Sequence, residues 1–273
     1  MTRVSQFLDS RVRWFLRASA FLFVCFPAIA QQANSSAPLS ANEVIERVAA
    51  MNELRNKALE NYSSLRSYHL ECLCVSHKQA DMVVRADYHA PNKKEFTIVS
   101  ENGSGTVRNR VFKKLLEAEQ ESMREENQQR SAITPENYTF QVVDYKLTDA
   151  DEFYVLEARP QNKNKFLFRG RIWVNATDFA ITRVEGEPAQ NPSWWTVKTD
   201  FKRSYQKIGD FWLPESNQSE TKVRILGTAV LTISYGEYQI TESRGTKLAL
   251  SLKTSSSDQQ RTNATKAEAQ DRD

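Results

Sequence analysis

The chain has 273 residues, 40% of them hydrophobic and 26% charged, with a formal net charge of +3. Its first thirty residues carry Arg3, Arg11, Arg13 and Arg17 against one acid, Asp9, so the whole positive excess sits there and the rest is near neutral. A near-neutral body lacks the basic face that supplies most nucleic-acid affinity, which excludes nucleic acid as a partner.

Residues 1–30 read as a cleavable signal peptide. The basic start is followed by an apolar run from Ala18 to Ala30 that ends in Ala28-Ile29-Ala30, a small-x-small pattern before Gln31. The run is shorter than the ~20 residues that cross a bilayer, and Val24 ahead of Cys25 does not fit a lipidation signal. The expected location is the periplasm. Residues 31–39 form a polar linker, and Ser40-Ala-Asn-Glu43 is a capping-box pattern that opens a helix. Val44, Ile45, Val48, Met51, Leu54, Ala58 and Leu59 then recur at helical spacing, with Glu46, Arg47, Asn52, Arg55 and Lys57 on the opposite face.

Strands follow at Leu65–Ser76, Met82–Tyr88 and Glu95–Ser100, the last closed by Asn102-Gly103-Ser104-Gly105. The first strand carries Tyr68, Leu70, Cys72 and Cys74 on one face. A second helix interrupts the strands. Val107, Val111, Leu115 and Ala118 form one stripe on it, and Phe112, Leu116 and Met123 form another. Its continuation, Glu117 to Arg130, is dense in charge and is expected to run into solvent. Seven more strands are expected at Tyr138–Leu147, Phe153–Ala158, Phe166–Val174, Ala180–Glu185, Trp194–Tyr205, Phe211–Ile225 and Thr228–Ile240. Residues 251–273 have no aromatic residue and no period, and are expected to be a disordered tail. Residues 40–250 then form a single domain. It is mainly β (α+β), a large curved antiparallel sheet of about ten strands, bent into a barrel or half-barrel with both helices over one face.

Cys72 and Cys74 are the only cysteines after the leader. Positions two apart on a strand are separated by roughly 6.6 Å, too far for a disulfide without a kink, so two thiols on one strand face are expected. Cys72, Cys74, His77 and His89 are metal-ligating types, and the expected hairpin register brings His89 near Leu70. Cys-x-Cys is not a zinc-finger spacing, however, and no metal or other cofactor is expected. There is no G-x-S-x-G elbow, H-E-x-x-H pair or phosphate-binding loop. Carboxylates sit in charge runs typical of solvated faces, and no enzymatic activity is expected.

The stretch Asn164-Lys-Phe-Leu-Phe-Arg-Gly-Arg-Ile-Trp-Val-Asn175, then Asp178-Phe-Ala-Ile-Thr-Arg-Val-Glu185 and Phe211-Trp-Leu-Pro214, resembles the outer-membrane lipoprotein-sorting (LolA-like) superfamily. The resemblance spans roughly residues 40–245 and rests on hairpin patterns, not catalytic signatures. It implies a half-open antiparallel β-barrel with helices plugging its mouth around an apolar cavity for acyl chains. The implied function is a periplasmic carrier of a lipid or lipidated protein that meets inner- or outer-membrane components in outer-membrane biogenesis. Its related branch is a non-enzymatic protein-interaction or envelope-stress regulatory module. The apolar lining expected for the cavity is Phe112, Leu116, Phe166, Phe168, Ile172, Val174, Trp195 and Phe211. Of the adjacent Trp194 and Trp195, one is expected to face outward, as at membrane-interface or partner contacts.

Overall fold

A computed structural model describes residues 39–74, 77–147, 152–191, 196–225 and 227–242. The expected signal peptide, the expected linker up to residue 38, Trp194, Trp195 and the expected tail lie outside the described residues. Helix α1 spans Ala41–Ala58. Its capping box forms as expected: the Ser40 hydroxyl accepts from the Glu43 amide at 3.4 Å, and the Glu43 carboxylate accepts from the Ser40 amide at 2.9 Å. Leu59 is not helical. It opens the first strand with no intervening turn.

Ten strands make one antiparallel sheet: β1 (Leu59–Cys74), β2 (Lys78–His89), β3 (Lys93–Gly103), β4 (Tyr138–Leu147), β5 (Glu152–Pro160), β6 (Phe168–Asn175), β7 (Ile181–Pro188), β8 (Thr196–Ile208), β9 (Phe211–Val223) and β10 (Gly227–Glu242). Their spatial order is β3-β2-β1-β10-β9-β8-β7-β6-β5-β4. The pairing of β1 with β10 joins two meanders and leaves β3 and β4, consecutive in the chain, as opposite edges. The sheet is thus an open half-barrel. The segment between its edges holds α2 (Gly105–Val107), a π-helical turn (Arg108–Phe112), α3 (Lys113–Ser122) and α4 (Glu125–Ser131).

The helices lie on one face of the sheet, here the inner face. Side chains alternate across strands, so the inner face of β1 carries Tyr62, Ser64, Arg66, Tyr68 and Leu70, all buried. Three apolar clusters fill this face. The first packs Val44, Ile45 and Val48 of α1 on Tyr138, Tyr154, Leu156, Ile172, Val174 and Val184 of β4–β7. The second packs Val107, Phe112 and Leu116 on Tyr68, Leu70, Ala80, Met82, Val84 and Ile233. A third joins Ala58, Leu59 and Tyr62 to Phe211 and Leu213. In the first, Gly170 and Gly186 face each other across β6 and β7. A β-carbon at Gly170 would collide with the Glu185 carbonyl oxygen.

Several expectations are corrected. The strands of the first hairpin are longer than expected because β1 starts at the end of α1. Its register sets Cys72 opposite Lys78, and His89 opposite Asn61. His89 is therefore some 35 Å from Cys72 along the ladder, at the far end of the strands, and its Nδ1 contacts Asn61 Oδ1 at 2.8 Å. Cys72 is disulfide-bonded, so the expectation of two thiols fails there. Arg55, assigned to the polar face of α1, is buried. One guanidinium nitrogen donates to the Asp178 carbonyl at 2.5 Å and lies 3.7 Å from the Asp178 carboxylate.

Candidate ligand-binding face

The expected lining residues do not converge on one site. Ile172 and Val174 are fully buried under α1, with Phe168 half-buried beside them. Phe112 and Leu116 belong to the second cluster and Phe211 to the third. Phe166 precedes β6, in a turn where Asn164 Oδ1 accepts from its amide, and it stacks beneath Arg130 and Lys165. The turn breaks the strand alternation, and Leu167, which strict alternation with Phe166 and Phe168 would set on the opposite face, is the buried residue there. The inner face of β8 and β9 between the clusters is polar, with Thr199, Arg203, Asn217, Ser219 and Thr221.

The second cluster is closed by the helical segment between β3 and β4. In a regular helix, Val107 and Phe112 fall on different stripes. The π turn inserts one residue and rotates the chain, so Val107, Phe112 and Leu116 all face the sheet. Phe112 is 0% exposed and meets the Tyr68 ring at 5.9 Å.

One turn beyond Leu116 the interface becomes ionic. Glu119, expected in solvent, turns its carboxylate inward to Arg66 on β1 and Lys94 on β3. Arg66 donates to both of its oxygens, at 3.0 and 2.8 Å, and the Lys94 ammonium lies 2.8 Å from one of them. Arg66 is 1% exposed and lies against the rings of Tyr235 at 4.9 Å and Phe96 at 5.4 Å. Its Nε and the Ser64 hydroxyl, two residues earlier on the same face, have no hydrogen-bond partner among the described residues. Burial works against charge on every member, but the three stay ionised. Burial pushes the Glu119 carboxyl up, yet Lys94 and Arg66 outweigh it and hold its pKa below the usual carboxylate value. Burial pulls Arg66 and Lys94 down. Glu119 together with Tyr62, Tyr68 and Tyr235 outweighs it at Arg66, and Tyr62 and Glu119 together outweigh it at Lys94, so both end above their ordinary values.

A sequence signal for Arg66 existed. Extending the even-numbered face of Tyr68, Leu70 and Cys72 back by one step places an arginine in the core. Glu119 carried no such signal among its charged neighbours. A second ionic cluster pins α1. Asp178 accepts from Trp212 Nε1 at 2.9 Å and Lys207 Nζ at 3.0 Å while Arg55 reaches its backbone, which brings the two conspicuous motif segments together.

On the outer face, an open depression of about 530 Å³ is lined by Glu185, Asp200, Lys202, Gln218, Glu220 and Thr232, with none of the expected apolar residues. Among the described residues, no group of three His, Cys, Asp or Glu is placed to hold a metal. No helix among them is long and apolar enough to cross a membrane.

No family model and no curated relative matches the chain. Among solved structures it is similar to a putative outer-membrane lipoprotein-sorting protein domain from Vibrio parahaemolyticus, at 11% identity over 74% of this chain and 92% of that one, with a TM-score of 0.38. It is also similar to the Pseudomonas aeruginosa MucA/MucB complex, at 8% identity over 75% of this chain and 95% of that one, TM-score 0.26. A third similar structure is a LolA superfamily protein from Nitrosomonas europaea, at 10% identity over 76% of this chain and 96% of that one, TM-score 0.35.

Proposed function

We propose that this protein is an exported, periplasmic carrier that shelters the acyl chains of a lipid or lipidated protein on the inner face of its sheet. Residues 1–30 act as its signal peptide. The observation that carries the reading is the second cluster, an apolar sheet face closed by a helical cover whose outer end is pinned by the Arg66–Glu119–Lys94 cluster. Displacing the cover exposes Val107, Phe112 and Leu116 at about 2 kcal/mol each, roughly 6 kcal/mol together. An acyl chain of about 12 methylenes taking their place gains about 10 kcal/mol at ~0.8 kcal/mol per methylene. The acyl chain thus supplies enough apolar burial to offset loss of the cover's contacts, with only a few kcal/mol left against the cost of association, and this exchange needs no polar specificity. The ionic pin adds little net stability, because desolvation of its charges offsets most of their attraction. It fixes where the cover closes and leaves it able to open. Phe168, Ile172 and Val174 under α1, and Phe211 in the third cluster, are separate apolar surfaces on the same face.

A second reading, a non-enzymatic protein-interaction or regulatory module, draws on the close packing of the same residues: Phe112, Ile172 and Val174 are 0% exposed. Native mass spectrometry of protein purified from the periplasm without detergent, then incubated with lipid vesicles and extracted with solvent, separates the two. The carrier reading predicts an added, solvent-extractable mass of lipid size. A bare polypeptide mass after incubation contradicts it and favours the module.

A further inference from the structure

The tip of the β9–β10 hairpin breaks two local rules at once. The loop between Val223 and Gly227 needs a left-handed residue, a place for Gly, Asn or Asp. It holds Ile225, with φ at +68°. A β-branched residue there is a steric outlier, and a strained backbone of this kind is a pointer to function. The side chain is also 91% exposed, so no packing inside the described structure offsets the strain.

Its surroundings follow a pattern. Leu73 at the end of β1 is 53% exposed and Val197 at the start of β8 is 48% exposed, both at the same end of the sheet as the hairpin. Basic residues stand among these apolar ones. Arg224 adjoins Ile225, and Lys222 sits on the outer face directly opposite Lys198 of β8 and Thr228 of β10, with Leu73 next in the row. Two lysines facing each other across strands repel. Lys198 is relieved by Asp200 at 2.7 Å, while Lys222 and Arg224 form no ion pair among the described residues. The nearest acids on that face, Asp200 and Glu220, pair one row further from the tip.

We propose that this end of the sheet docks on an anionic lipid bilayer, with Ile225 entering the headgroup layer and Lys222 and Arg224 meeting lipid phosphates. An exposed apolar finger flanked by cations suits that surface, since apolar burial and attraction to anionic lipid add together. A protein groove would accept the isoleucine but gives no use to the unpaired basic neighbours. The inference rests on the hairpin and not on the inner face, so it stands or falls apart from the carrier reading.

The test is co-sedimentation of protein, expressed from the full chain and purified from the periplasm, with vesicles of phosphatidylglycerol and phosphatidylethanolamine against phosphatidylcholine alone. Binding is expected to the anionic vesicles and to weaken with salt. Lys222→Gln and Arg224→Gln should each weaken it about fivefold, and Ile225→Asp should abolish it. Ile225→Gly separates docking from folding: glycine relieves the left-handed strain, so the thermal midpoint rises or holds while vesicle binding falls. Ile225→Gly protein that binds like wild type, or wild type that ignores anionic vesicles, overturns the proposal. So does sedimentation as a dimer that Ile225→Asp dissociates, which reassigns the tip to self-association.

Discussion

At the scale of single residues, the ion cluster on the inner face carries most of the account. Arg66 is nearly inaccessible, and its guanidinium is matched by one carboxylate from the cover and flanked by two aromatic rings. Removing one partner strands a buried charge, so Glu119→Leu should destabilise the protein by about 3–5 kcal/mol in denaturant titration, and Arg66→Met with Glu119→Leu should recover much of that loss. If the double variant is no more stable than the single one, the cluster is not a coupled unit. The pH dependence follows from the sign of the Glu119 shift. Its folded pKa is lowered by Lys94 and Arg66 against burial, so its contribution is full above the ordinary carboxylate value of about 4.3 and is lost as pH falls through the lowered folded value. Glu119→Gln should remove that part of the acid sensitivity. Arg66 was legible from strand parity, but Glu119 was not, because a surface helix and a docked one carry the same charges until the sheet beneath is known.

At the scale of elements, most of helix α1 was legible. Its cap, its buried stripe and its length are local properties, and only its last residues and Arg55 went astray, both through contacts distant in sequence. The cover was half legible. Its apolar residues were evident, but the regular 3.6-residue period split them into two stripes, and the π turn that merges them has no local sequence mark. The start of β6 was missed for a similar reason: the Asn164 turn stops the alternation at Phe166 and Leu167. In β6 and β7, Gly170 and Gly186 let the backbones meet where side chains would collide. Gly170→Ala should cost about 3 kcal/mol by forcing the strands apart, read as a lowered denaturation midpoint. An unchanged midpoint would mean that the strands have slack there.

At the scale of the whole molecule, about ten strands were expected and ten are found among the described residues, because alternation and turn residues mark them one by one. Their spatial order was not legible. The β1–β10 pairing joins segments more than 150 residues apart and makes edges of β3 and β4, and nothing local announces it. That closure is what places the interrupted helical segment between the two edges, over the face on which Tyr68, Met82 and Ile233 converge. The most direct test of the central claim is photolabelling of the protein with a diazirine-bearing fatty acid, followed by peptide mapping. Adducts are expected on β1, β2, the π-helical turn and α3, around Tyr68, Met82, Phe112 and Leu116, and are reduced by competing unlabelled lipid. Adducts confined to the hairpin tip or the outer face would contradict it.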